Sequence, residues 1–148
     1  MRTDRPLGLN ATELIAPACP ARTATGFPFA ILDAEAGDRL IGRVALANVV
    51  RGVWQNATLG YWVSLDAGGR GHATRAVGLA LRFAFDVAGL HRVQPAIMPR
   101  NVRSRRVVEK CGFRLEGVAA RYLKINGVWE DHNLYAMTAE DWRDLHPQ

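Results

Sequence analysis

Three glycines, Gly68, Gly69 and Gly71, stand between the apolar run Leu59-Gly60-Tyr61-Trp62-Val63-Ser64 and a helical stretch that begins at His72. Strand, glycine loop and helix in that order suit an anion. Glycine lets the main chain approach a phosphate closely, and the first-turn N–H groups, which have no partner inside the helix, face it with the positive end of the dipole. A tight turn would ask for the same glycines, so the loop acquires meaning only from its neighbours. Two phosphate-binding patterns fail here. A Walker loop ends in Gly-Lys-Ser/Thr, whereas Gly71-His72-Ala73-Thr74 contains no lysine. A dinucleotide fingerprint needs a third glycine where Thr74 stands and an acidic residue about 20 positions on, where Leu90 and His91 lie.

Other candidates for chemistry are sparse. Arginines cluster at Arg100, Arg103, Arg105 and Arg106, as a solvated helix face or as phosphate contacts. The four histidines, His72, His91, His132 and His146, and the two cysteines, Cys19 and Cys111, show no metal-ligand spacing, so no metal is expected. Two cysteines are also too few for a disulfide framework, and reduced thiols are the default.

The elements that must position these residues follow from pattern. At 148 residues, 49% hydrophobic and 22% charged, the chain fits one soluble domain with one core. No apolar run approaches the ~20 residues of a membrane span, and Met1 to Pro6 lead into no signal-like segment, so a cytoplasmic location is expected. The net charge of +5 favours anionic partners. Residues 1–28, interrupted by Pro6, Pro17, Pro20 and Pro28, predict a loosely ordered segment, with a short helical turn over Ala11 to Ala16 capped by Thr12. Residues 29–148 form the predicted domain. Phe29 to Leu32 and Leu40 to Asn48 predict a hairpin turning at Gly37, and a central strand runs from Ala57 to Ser64. His72 to Ala88 predicts a helix with a wide apolar arc, buried against a sheet. Arg92 to Met98 predicts a strand in which Pro95 demands an edge or a splayed position. Asn101 caps a short helix that Gly112 stops, Asn126-Gly127 turns a terminal hairpin, and Thr138 with Asp141 predicts a capping box.

Joined together, Leu59 to Phe113, the Asn-Gly hairpin and the ending Asp131-His132…Tyr135…Asp141-Trp142 resemble the GNAT superfamily of acetyl-CoA-dependent N-acetyltransferases. Within it the chain is similar to the RimJ-type ribosomal-protein alanine N-acetyltransferases. The loop signature Arg/Gln-x-x-Gly-x-Gly/Ala is met by Gly71 and Ala73, while Gly68 takes its first place, losing a side chain but keeping backbone donors. Asn101 and Ser104 meet an Asn-x-x-Ser motif, and Glu109 to Phe113 a Glu-Lys-x-Gly-Phe ending. The resemblance implies an α/β (α+β) fold with a mixed, largely antiparallel sheet splayed at its central strands and helices on both faces. Here the N-terminal strand and helices are missing or reduced.

The resemblance further implies a site. The backbone of Trp62 and Val63 would hold the pantetheine arm of acetyl-CoA, and Gly68, Gly69, Arg70, Gly71, His72, Ala73 and Thr74 would bind its pyrophosphate. Asn101 and Ser104 would face the cofactor, and Arg70, Arg103 and Arg106 its ribose phosphate. Val63 N–H would stabilise the growing oxyanion, and Ser104 would act as general acid, because the tyrosine many members carry is Val108 here. Glu116, Tyr122, Asp131 and His132 are acceptor-side candidates, with Glu116, Asp131 and His132 also candidate bases through water. The implied reaction transfers an acetyl group to a primary amine, foremost the N-terminal α-amine of a protein such as a ribosomal protein. A small-molecule amine and a non-catalytic acyl-CoA-binding module are the alternatives. Neither a membrane nor direct nucleic-acid recognition is expected; a homodimer is compatible with the pattern.

Overall fold

The computed structural model of the protein describes residues 13–17, as backbone, and 26–148. Its strands are β1 (Glu13–Pro17), β2 (Phe27–Asp33), β3 (Arg39–Val50), β4 (Asn56–Val63), β5 (Arg92–Ile97), β6 (Arg114–Ile125) and β7 (Val128–Thr138). The helices are α1 (His72–Arg82), continued by a π-helical turn over Phe83–Val87, then α2 (Val102–Lys110) and α3 (Ala139–Leu145). One seven-stranded sheet runs β1-β2-β3-β4-β5-β7-β6. Among the described strands only β4 and β5 pair in parallel. This is the mixed, mostly antiparallel sheet expected.

Alternation decides which face is buried. Ile41, Val44 and Leu46 of β3 point inward, where they meet Val77, Ala80 and Leu81 of α1, Val108 of α2 and Trp142 of α3 in one cluster. The three helices among the described residues thus share the core on one side of the sheet, a correction to the expectation of helices on both faces. The other side carries Arg43, Ala45, Thr58, Gln94 and Leu134 along an open groove, with no helix over it among the described residues.

Three local expectations change. The helical turn read over 11–16 is instead β1, antiparallel to β2, so the N-terminal strand is present though only five residues long. Residues Ala11 and Thr12 lie outside the described residues. The apolar arc of α1 does not reach its end: the π turn, in which Ala88 N–H reaches Phe83 O at 2.8 Å, adds a residue and rotates Val87 outward to 70% exposure. Pro95 is not on an edge, since β5 lies between β4 and β7; it takes the splayed alternative. The turn at Asn126 and Gly127 has positive φ at both residues, 49° and 81°, as a two-residue hairpin requires. Thr138 and Asp141 form the capping box.

Candidate functional site

The parallel ladder between β4 and β5 ends at Leu59 opposite Pro95. Beyond it Gly60 to Val63 continue beside β3, while Ala96 and Ile97 follow β7. The strands part there. Ser64 N–H donates to Ile41 O at 2.7 Å while Val63 stands opposite Gly42. In an antiparallel ladder that makes Val63 and Gly42 a non-hydrogen-bonded pair, so the N–H and C=O of Val63 point away from β3 and into the gap. Two residues earlier, the main chain of Tyr61 points the same way. Trp62 is of the opposite class, opposite Arg43, and its main chain is spent on β3. The expectation that the backbone of Trp62 lines the gap is therefore corrected: Tyr61 and Val63 do so, and Trp62 offers its side chain, 55% exposed.

One end of the gap opens onto the glycine loop. Gly71, at φ 80°, is the N-cap of α1 and supplies no side-chain hydrogen bond, so the amides of the first turn, His72, Ala73 and Thr74, lack intrahelical partners. The positive end of α1 is thereby exposed to the cleft. A cleft of about 460 Å³ joins Tyr61, Trp62 and Val63 to Gly68, Gly69 and Gly71 to Thr74, and across to Asn101, Arg103, Ser104, Arg106 and Lys110 of α2. Among the described residues no carboxylate lines it, and Arg103, Arg106 and Lys110 stand beside the start of α1, whose N-cap glycine gives no side-chain hydrogen bond. Arg70 stands outside that lining, its carbonyl accepting from Arg75 at 3.2 Å.

The start of α2 is fixed from two sides. Asn101 Oδ1 accepts from Ser104 N–H at 3.2 Å, capping the helix as its sequence position predicts. The Tyr61 hydroxyl donates to the Ser104 carbonyl at 3.0 Å, tying β4 to α2 across the base of the gap. Burial pushes the Tyr61 hydroxyl up to about 12, so it remains a donor. Ser104 lines the cleft, and its Oγ makes no hydrogen bond to another described residue. Val108 is fully buried and cannot reach the cleft in a tyrosine's place. Burial also pushes the Cys111 thiol up to about 11; Sγ lies 3.5 Å from Thr74 O, packing α2 on α1. It is a packing residue.

On the acceptor side the predicted residues separate. Tyr122 lines the open groove with Leu123, Leu134 and Tyr61. Its ring lies 5.8 Å from that of His132, which is buried and holds Glu130 O at 2.9 Å through Nδ1. Asp131 serves the fold, its Oδ1 accepting from Arg121 N–H at 2.8 Å and so securing a left-handed residue (φ 48°) in the β6 irregularity. Glu116 is paired closely with Arg92, which stands opposite Asn56 at the end of β4 remote from the gap. The structure does not bring Glu116 to the site. Arg100 instead grips Glu130 with both nitrogens, at 3.0 and 2.8 Å, and holds the Glu130 carboxyl below its usual range. Among the described residues there is no cluster able to hold a metal and no helix long and apolar enough to cross a membrane.

Sequence reasoning left Tyr61 and Lys110 out of the site. For Tyr61 the signal was available, because it shares strand parity with Val63. Lys110 falls on the cleft face of α2 by helical spacing from Arg103 and Arg106.

Comparison with known proteins agrees with this geometry. Residues 9–114 match the profile of the Acetyltransferase (GNAT) domain. The chain is 47% identical over 104 residues to the probable N-acetyltransferase YjcK of Bacillus subtilis, covering 70% of this chain and 58% of that protein. It is 35% identical over 121 residues to the ribosomal protein uS5 alanine N-acetyltransferase of Escherichia coli, covering 82% and 62%. The solved structure of Mycobacterium smegmatis RimJ in complex with CoA-disulfide superposes with a TM-score of 0.78 at 37% identity, over 86% of this chain and 57% of that one. The chain thus spans about three fifths of the length of the relatives it matches. A sheet that parts beside an uncapped helix and a profile covering most of the chain lead to one conclusion: the chain belongs to the GNAT acetyltransferase domain family.

Proposed function

We propose that this protein transfers an acetyl group from acetyl-CoA to a primary amine, and that the acceptor is the N-terminal α-amine of a protein, a ribosomal protein foremost. The observation that carries the reading is the outward-turned main chain of Tyr61 and Val63 beside the uncapped start of α1. The cleft residues fit the coenzyme. First-turn amides at Ala73 and Thr74, which have no partner inside the helix, with Arg103, Arg106 and Lys110, suit its phosphates, and the strand edge of the gap suits its amide-bearing arm.

Acetyl-CoA, when bound, supplies the acetyl group as a thioester. Val63 N–H, free of the β3 ladder, donates to the oxygen on which negative charge grows. Ser104 Oγ gives a proton to a departing thiol whose pKa resembles that of cysteine, ~8.5, so modest acidity suffices. The proton that the amine sheds as the amide bond forms restores the hydroxyl through water. An α-amine, with a pKa near ~8, is partly neutral at neutral pH and needs little help from a base. That agrees with a cleft that no carboxylate lines among the described residues.

The uS5-directed relative, 35% identical, supports a ribosomal protein as acceptor. The test mixes the protein with acetyl-CoA and a peptide bearing a free N-terminal alanine and follows thiol release, then identifies acetylated N-termini in a treated lysate by mass spectrometry. Thiol release with the peptide is expected, slowed about tenfold to a hundredfold by Ser104→Ala, with coenzyme affinity unchanged. Binding of the coenzyme without release for any amine would leave only the binding-module alternative.

A further inference from the structure

The first position of the glycine loop, Gly68, has no side chain, yet the space a side chain would enter is filled. A Cβ built on Gly68 would lie 2.5 Å from Nη2 and 3.5 Å from Cζ of Arg103. The guanidinium reaches across from the first turn of α2 and rests on the loop main chain. It makes no ion pair or hydrogen bond with another described residue, and it lines the same cleft as the uncapped amides of α1. An arginine on an exposed helix would ordinarily extend into water. Here the missing Cβ opens a seat for it against the loop.

From this we infer that Arg103 is a pyrophosphate-binding residue, delivered from α2 because position 68 is glycine, and that residues 68 and 103 form an exchangeable pair. The inference rests on the coenzyme reading above and goes beyond it. It moves Arg103 from the ribose phosphate, where the family resemblance would leave it, to the diphosphate at the loop. The physics is direct. Gly68 N–H is occupied by Leu65 O at 3.2 Å, so this part of the loop has lost a donor as well as a side chain. A planar guanidinium with several N–H groups replaces both, and its charge adds to the positive end of α1. Any side chain at 68 would project into the volume Arg103 holds, so a cation delivered from 68 should do the work of one delivered from 103.

Isothermal titration with coenzyme A, dephospho-coenzyme A (which keeps the diphosphate and lacks the ribose phosphate) and pantetheine tests this. Arg103→Ala is expected to bind coenzyme A and dephospho-coenzyme A about tenfold more weakly, the loss of one charge-assisted hydrogen bond, and pantetheine no differently. Adding Gly68→Arg to Arg103→Ala is expected to recover most of the affinity for both nucleotides. Unchanged affinity in Arg103→Ala, a loss for coenzyme A but none for dephospho-coenzyme A, or no recovery in the double variant would each overturn the inference. If the unaltered protein gives no heat with coenzyme A, the coenzyme reading itself fails. Arg103 is exposed, so melting temperatures without ligand should match and certify that the variants fold.

Discussion

Tyr61 does two jobs with one residue: its main chain opens into the gap, and its hydroxyl anchors α2 through Ser104 O. The second job depends on the hydroxyl staying protonated. Burial raises Tyr61 to about 12 and Cys111 to about 11, both on the α1–α2 side of the cleft. For each, the folded protein holds its proton more tightly than the unfolded chain does. Their stability contribution is therefore complete below the unfolded values, near 9 for Cys111 and 10 for Tyr61, and is lost as pH rises through the folded ones. The melting temperature should fall between about pH 9 and pH 12. Tyr61→Phe and Cys111→Ala should each flatten that slope, at a cost of about 1 kcal/mol at pH 7 for the tyrosine's hydrogen bond. Thermal scans against pH check this; equal alkaline slopes in the variants would mean that other groups titrate.

At the scale of elements, the gap exists because β3 and β4 stay together where β4 and β5 separate. Gly42 makes the closeness feasible: a Cβ there would collide with Trp62 O and stand 3.1 Å from Val63 Cα. Gly42→Ala should therefore push the end of β4 off β3 and turn the Val63 amide away from the gap. We expect a loss of about 1–3 kcal/mol, in the range of overpacked sites, and a fall in coenzyme affinity larger than stability alone predicts. Titration at a temperature where the variant remains folded separates the two effects, and an unaltered affinity would show that Val63 tolerates the shift.

The order of elements was legible in the sequence because their signals are local. Asn126-Gly127, the Asn101 cap and the Thr138 box each fix a boundary within four residues. Pro95 betrayed the splay because a proline cannot sustain a full ladder. Three things were not legible. β1 hid behind prolines, since its pairing with β2 lies outside its own sequence. The π turn at Phe83 is a tertiary adjustment that hydrophobic periodicity cannot record. The fate of Glu116, Asp131 and Trp62 depended on register: which main chain faces a neighbour, and which carboxylate a distant arginine or a left-handed residue claims. Arg103 is the sharpest case, since its place follows from an absent side chain 35 positions away in the chain.

For the whole molecule, the open side of the sheet bears on the choice between the acceptors of the proposed reaction. The groove there is lined by alanines, Thr58, Gln94, Leu123, Leu134 and the aromatic rings of Trp62 and Tyr122. Among the described residues its only charged one is Arg43, and the chain as a whole carries a net charge of +5. A polyamine held by such a surface would bring several ammonium groups to a wall that has no carboxylate among the described residues, where like charge repels it and no acceptor of opposite charge there offsets its lost hydration. A peptide N-terminus brings one amine, neutral for part of the time, followed by amide groups that a neutral groove can accept. Spermidine should accordingly support thiol release with kcat/KM about a hundredfold or more below that of an alanine-started peptide. The ratio should narrow as salt rises from about 50 to about 200 mM, because screening weakens the repulsion and leaves the peptide's amide contacts untouched. Replacing Arg43 with glutamine should narrow it in the same direction, with the peptide rate nearly constant. Equal rates for the two acceptors at low salt would mean that repulsion does not govern entry, and would turn the acceptor assignment toward small amines.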